Sequence, residues 1–226
     1  MSLTTYKINE MFETIQGEGV FTGVPAVFVR LQECNVGCAW CDTQQTWSAD
    51  PKDERTFAEV IAKQGDVPTW CLASADDVVA QYQFLGFTAK HIVITGGEPC
   101  MYDLRDLCAA FEKLGCKCQI ETSGTSPVLV SDSTWVTVSP KVAMKGKLEV
   151  LKSALERANE IKHPVATSKD IDQLDELINS AVIQDSVVIA LQPISQKDRA
   201  TQLCMETCIE RNWRLSVQTH KYLNIA

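Results

Sequence analysis

Short apolar runs rich in Val and Ile alternate along this chain with helical patterns, and that alternation leaves few folds open. Residues 25–31, 91–95, 117–122, 135–138, 160–165 and 187–192 read as strands, and 214–217 adds a short last one. Between them Leu104, Leu107, Cys108, Phe111 and Leu114 recur at helical spacing, with Gly115 as the stop. Residues 148–159, 171–180 and 197–212 are helical on the same grounds, and Ser74 before Ala75-Asp76-Asp77 reads as an N-cap with acids in the first turn, opening a helix that ends near Gly86. Strand–helix–strand repeats call for a parallel sheet with right-handed crossovers. Six such units are too few for a closed eight-stranded barrel, so the α/β fold expected is a partial barrel or an open sheet. In both, ligands bind at the carboxyl ends of the strands. Residues 42–73, with Pro51, Gly65, Pro68 and two tryptophans, break the alternation and read as an insertion over the sheet. A chain of 226 residues fits one domain, 1–226.

Composition removes several function classes. No apolar run approaches the roughly 20 residues of a membrane-spanning helix, and the first residues lack the hydrophobic stretch of a secretory signal, so a cytoplasmic protein without membrane contact is expected. A net charge of −8 with no basic arm argues against direct nucleic-acid binding, while one or two local Arg or Lys residues still suffice for a small anion. Ten cysteines are many for a reducing compartment, where they serve metal binding or packing rather than disulfides.

Three of those cysteines, Cys34, Cys38 and Cys41, follow the first of these strands with the spacing Cys-x3-Cys-x2-Cys. Three thiolates on one short loop hold three corners of a cubane iron–sulfur cluster and leave the fourth iron open. A structural zinc site wants four ligands, and no matching Cys or His pair follows at finger-like spacing. The plainer alternative is three buried thiols. Ile92-Val93-Ile94-Thr95-Gly96-Gly97-Glu98-Pro99 ends the next strand. Its glycines let the backbone come close to a ligand, and the Glu98 carboxylate can accept from an ammonium group. By itself this is also an ordinary Gly-Gly turn.

Taken together, the cysteine loop and the Gly-Gly-Glu strand end resemble the two signatures of the radical S-adenosylmethionine (SAM) enzymes, in that family's order. The resemblance implies a partial barrel of six strands and a [4Fe-4S] cluster whose open iron is chelated by the cofactor's amino and carboxylate groups. It also implies one-electron cleavage of SAM to a 5′-deoxyadenosyl radical. Further segments narrow it: Asn9-Glu10-Met11-Phe12, Gln16-Gly17-Glu18-Gly19, Phe21-Thr22-Gly23, Phe28-Val29-Arg30-Leu31, Trp40-Cys41-Asp42-Thr43, Glu121-Thr122-Ser123-Gly124-Thr125, Ser139-Pro140-Lys141 and the closing residues 220–226. These are similar to the 7-carboxy-7-deazaguanine synthase family of queuosine biosynthesis, whose compact members lack the 42–73 insertion. That implies a lyase turning 6-carboxy-5,6,7,8-tetrahydropterin into 7-carboxy-7-deazaguanine with loss of ammonia. Its SAM is used catalytically, Mg2+ is required, a flavodoxin or ferredoxin gives the electron, and the enzyme is a homodimer.

Carried over residue by residue, the resemblance places Cys34, Cys38 and Cys41 on the cluster and Thr43 on magnesium. It places Trp40, Cys41 and Asp42 on the adenine side of SAM, Gly97 and Glu98 at its amino group, and Glu121, Ser123, Ser139, Pro140 and Lys141 near its ribose or carboxylate. Gln192, with Pro193, would close over the adenine. For the substrate it implies Ile15, Gln16, Gly17, Glu18, Arg30 and Thr95. Glu18 would accept from the paired N–H donors of a pterin edge, unless its turn is only a hairpin tip. Arg30, inside an apolar strand, would pair bidentately with the substrate carboxylate, or else form a salt bridge to an acid. Two other classes fit parts of the pattern, an activase that makes a glycyl radical on a partner protein and an iron–sulfur or zinc interaction module. The remaining cysteines read as core, Cys204 and Cys208 with Leu203 and Ile209 on one helix. His91 and His163 read as structural, and His220 carries no assigned role.

Overall fold

The computed structural model describes residues 4–223; residues 1–3 and the Asn224-Ile225-Ala226 end of the tail lie outside them. Nine strands form one sheet: β1 (Thr5–Ile15), β2 (Pro25–Leu31), β3 (Cys71–Ser74), β4 (His91–Gly96), β5 (Lys117–Thr122), β6 (Trp135–Val138), β7 (Glu160–Val165), β8 (Val188–Pro193) and β9 (Arg214–Leu215), in the order β3-β1-β2-β4-β5-β6-β7-β8-β9. From β2 through β9 every neighbouring pair is parallel. The order has two ends, so the barrel is partial, as the number of units predicts. The helices are α1 (Phe57–Ala62), α2 (Ala75–Phe84), α3 (Arg105–Glu112), α4 (Lys152–Arg157), α5 (Ser168–Ser180), α6 (Asp198–Arg211) and α7 (Thr219–Leu223). None is long and apolar enough to cross a membrane among the described residues.

Local chemistry explains the elements that sequence predicts. Ser74 caps α2 reciprocally: its hydroxyl accepts from the Asp77 N–H while the Asp77 carboxylate accepts from the Ser74 N–H at 2.8 Å. The helix expected over 148–159 is shorter, since only Lys152–Arg157 is helical. Two strands lie outside the expected set. The first, β1, runs antiparallel to β2, and its register shifts between Ile8 and Glu10, so Ile8 and Asn9 are both buried and the period of two is broken. The second, β3, lies within and just past the 42–73 stretch and pairs antiparallel with β1. That stretch therefore ends by extending the sheet edge instead of lying wholly over the sheet.

The two faces of the parallel sheet differ in chemistry. On the convex face Val29, Ile94, Ile120 and Val136 align in register and are fully buried, covered by helices that contribute Leu107, Phe111, Ile171, Leu174, Cys204 and Cys208. Ile209, expected beside those two cysteines, is 81% exposed, because Cys208 already occupies the inward position of that turn. On the concave face Arg30 aligns with Thr95, and Glu121 with Thr137 and Glu160. A parallel sheet covered on both sides is ordinarily apolar on both, so a polar concave face marks a binding surface. The hairpin tip between β1 and β2 closes its amino end: Phe21 lies 4.4 Å from His91 and 5.0 Å from Trp135, ring centre to ring centre. His91 is buried with Nε2 at 2.7 Å from Gln119, in keeping with a structural role.

Candidate active site

The cysteine loop leaves β2 through Glu33, whose φ of 79° is rare for a residue with a side chain. Two other segments hold it by direct backbone contact. Glu98 donates its N–H to the Glu33 carbonyl at 2.8 Å, and Gly146 donates to Val36 at 2.8 Å. A Cβ on Gly97 would sit 1.8 Å from the Glu33 carbonyl oxygen, and one on Gly146 would sit 2.0 Å from that of Asn35. Gly96 is similarly pressed on Leu31. The Gly-Gly pair thus serves first to seat the cysteine loop, a closer contact than the ligand approach that the sequence suggests.

Cys34, Cys38 and Cys41 are free, half-buried and face one cavity, whereas the other seven cysteines are buried. Burial pushes the Cys34 and Cys38 thiols up, so cluster assembly must drive off their protons. Among the described residues no three His, Cys, Asp or Glu side chains converge closely enough to hold a single metal ion. Three thiols on one loop with no fourth protein ligand suit a cube with one open corner. Trp47 directs its indole N–H at Cys41 Sγ, 3.4 Å away, and Thr43 Oγ1 lies 3.6 Å from the same sulfur.

The cavity, about 340 Å³, opens at the carboxyl ends of the strands and gathers every sequence-predicted site residue except Pro140, which is buried out of it. Trp40, 41% exposed, stands on its rim, and Ser139 accepts from the Lys141 ammonium. Burial lowers the Lys141 pKa, against the opposing pull of Cys38. Gln192 accepts from Ser216, whose hydroxyl in turn accepts the Gly19 N–H.

Two of the assigned residues already carry protein partners. Glu98, expected to take an ammonium, already accepts from the Cys100 N–H at 3.0 Å, the Ser123 N–H at 2.8 Å and the hydroxyls of Thr122 and Ser123. Those four donors fill a carboxylate's capacity, and they tie β4 to the end of β5. Arg30 forms the salt bridge held open as its alternative: Nε pairs with Glu10, its register partner on β1. Its side chain also lines the cavity.

Deeper on the concave face lies an ionic cluster that sequence reading missed. Lys162, on β7, places Nζ 2.7 Å from Glu18 and 2.9 Å from Glu121. Burial would raise the Glu18 carboxyl, but Lys162 and the Gln218 amide outweigh it and hold the group at about 2. Glu121 is pushed up to about 7 by burial, with Glu18 and Glu160 adding to the rise and Lys162 opposing it. Burial disfavours the Lys162 charge, yet Glu121 and Glu18 more than restore it, so its pKa is raised. The tail completes the wall: Gln218 Nε2 donates to Glu18 at 2.8 Å, Thr219 N–H donates to the Gly17 carbonyl at 2.9 Å, and His220 packs on Gly17. The period of two in Glu160-Ile161-Lys162 was the available signal for Lys162, the same alternation that singles out Arg30.

Known proteins bear on this cavity. No protein-family model matches the chain. It is 60% identical to the 7-carboxy-7-deazaguanine synthase of Escherichia coli (strain K12), over 98% of this chain and 99% of that one. It is 46% identical to the synthase of that name from Buchnera aphidicola subsp. Schizaphis graminum, over 97% and 99%. The crystal structure of QueE from Escherichia coli superposes with a TM-score of 0.93 at 58% identity, covering 95% of this chain and 94% of that one. Neither the activase nor the metal-module reading finds support in these likenesses. A cysteine loop seated by Gly97 beside a polar concave face, in a chain this similar to those proteins from end to end, leaves one assignment: the chain belongs to the 7-carboxy-7-deazaguanine synthase family of radical SAM enzymes.

Proposed function

We propose that the chain, as one domain, is the lyase that converts 6-carboxy-5,6,7,8-tetrahydropterin to 7-carboxy-7-deazaguanine with release of ammonia. The observation that carries this reading is that the three cysteines and the donor–acceptor face bearing Gln16, Glu18, Arg30 and Thr95 line one cavity. Cys34, Cys38 and Cys41 would hold the cluster, which with SAM supplies the one-electron cleavage that starts the reaction. Lys141, backed by Ser139, offers a cation to the cofactor carboxylate, while Trp40, Asp42 and Gln192 line the path for its adenine. Glu18 and Gln16 present acceptors to the pterin edge, and Thr95 faces the same space. Phe12 and Phe28, stacked at 5.4 Å, make an apolar wall that excludes water from one side. A flavodoxin or ferredoxin as electron donor and a homodimeric, cytoplasmic state complete the proposal.

Anaerobic reconstitution with iron and sulfide, then incubation with pterin, SAM and reductant, is expected to yield 7-carboxy-7-deazaguanine and ammonium. Release of 5′-deoxyadenosine without any deazaguanine sinks the proposal. Arg30, although paired with Glu10, would supply the cation for the substrate carboxylate. Charge-assisted hydrogen bonds contribute about 1.5–3 kcal/mol, so Arg30→Ala should weaken pterin binding by about 10–100-fold and leave uncoupled SAM cleavage in place. Equal loss of both would assign Arg30 to the sheet alone.

Thr43 would offer a hard oxygen to Mg2+, with the substrate carboxylate and water filling the shell. Removing magnesium with a chelator that spares the cluster is expected to slow turnover, and re-addition to restore it. Unchanged turnover in metal-free buffer would detach Thr43 from any metal role.

A further inference from the structure

Three carboxylates on the concave face, Glu18, Glu121 and Glu160, surround the Lys162 ammonium, and the Lys141 ammonium acts on Glu18 and Glu121 from farther away. Glu160, fully buried, is committed to the fold: it accepts from the Val20 N–H at 3.1 Å and the Thr137 hydroxyl at 3.0 Å. Glu18 and Glu121 arrive from separate elements, the β1–β2 hairpin and β5, and both line the cavity. What joins them is Lys162, its side chain 5% exposed, bridging one oxygen of each. We propose that Lys162 is a positioning residue for substrate choice, presenting Glu18 and Glu121 as paired acceptors to the N–H donors of the aminopyrimidinone edge of the pterin, which gives Glu121 to the substrate rather than to the SAM ribose or carboxylate where the resemblance puts it. This rests on the function proposed above.

The argument is one of charge and lone pairs. A carboxylate accepts at about four positions. Glu18 uses one oxygen for Lys162 and the other for Gln218, and Glu121 uses one for Lys162 and the other for Gln119. Each keeps acceptor capacity towards the cavity. Two buried carboxylates facing one space cannot both stay ionised without a shared cation. If Lys162 lost its charge, Glu121, whose carboxyl burial already pushes up, would take the proton and become a donor. It would then face the donor edge of the substrate with a mismatch, and a buried mismatch of that kind discriminates strongly. A flexible ammonium suits the bridge because it can serve two carboxylates at once as a point charge.

The test is a mutant cycle on reconstituted holoenzyme, with pterin and SAM titrated separately by anaerobic calorimetry. Lys162→Met is expected to weaken pterin binding by about tenfold or more, ~1.4 kcal/mol, with SAM affinity unchanged. In a background carrying both Glu18→Gln and Glu121→Gln the same change should cost little further, because both carboxylates it serves are already neutral. Lys162→Gln, which keeps polarity without charge, carries the same test should the Met variant fail to take up iron. Pterin binding as tight as in the unmodified protein, purely additive losses in the cycle, or parallel loss of SAM affinity each overturn the role of Lys162. Failure of the unmodified holoenzyme to bind the pterin at all would instead overturn the proposed function.

Discussion

Cys38→Ala is expected to emerge from anaerobic reconstitution without the brown chromophore and without measurable SAM cleavage. On the proposed ligation three thiolates are the entire protein contribution to the cluster, and removing one leaves two corners of four held. No other cysteine can replace it, since the remaining seven are buried. Nor does the loop have freedom to rearrange, because backbone contacts from Gly97 and Gly146 fix it on two sides. The fitting comparison is Cys204→Ala: Cys204 is fully buried in the convex core, so its loss removes packing and leaves iron content alone. Iron and sulfide per chain, with 5′-deoxyadenosine release, read the difference. Full turnover by Cys38→Ala would be incompatible with cluster ligation by this loop.

What could be read from residues alone follows where burial is uniform. Strands such as Lys117–Thr122 and Trp135–Val138 are short runs whose convex positions are all buried and, Thr122 apart, apolar, and their bounds emerge from sequence as they stand in the structure. The Thr5–Ile15 strand escaped because its bulge buries Ile8 and Asn9 together and breaks the alternation. Cys34, Cys38 and Cys41 were legible because ligand spacing on one loop is a local property. Lys162 was not, since a charged residue in a strand reports only that a partner exists, and its partners Glu18 and Glu121 come from distant parts of the chain. Gly146 carries no local signal either: its need to be glycine comes from the Asn35 carbonyl, which only tertiary structure brings near. The donors that hold Glu98 were hidden for the same reason, because Thr122 ends the next strand and Ser123 follows it.

Gly97→Ala should be among the most damaging single-methyl additions in the protein, and the reason separates two explanations of the Gly-Gly-Glu motif. Gly97 is not among the residues with positive φ, so alanine meets no backbone-conformational penalty there. The obstacle is the Glu33 carbonyl oxygen, 1.8 Å from the added carbon, which is backbone and cannot swing aside. Relief requires β4 and the cysteine loop to separate, breaking the 2.8 Å bond from Glu98 N–H to Glu33. Overpacking typically costs about 1–3 kcal/mol and occasionally more, which in a chain of this size lowers Tm by roughly 2–4 °C per kcal/mol. Gly23→Ala supplies the opposite control: φ there is +91° with nothing within 4 Å, so only the left-handed conformation is penalised, by about 1–2 kcal/mol. The two variants can thus share a modest loss of stability, and iron content then decides between causes. If Gly97 seats the loop, Gly97→Ala loses iron while Gly23→Ala keeps it. If Gly97 is glycine chiefly to admit the cofactor backbone, Gly97→Ala retains a full cluster and fails only at SAM binding, and the seating role assigned to it is wrong.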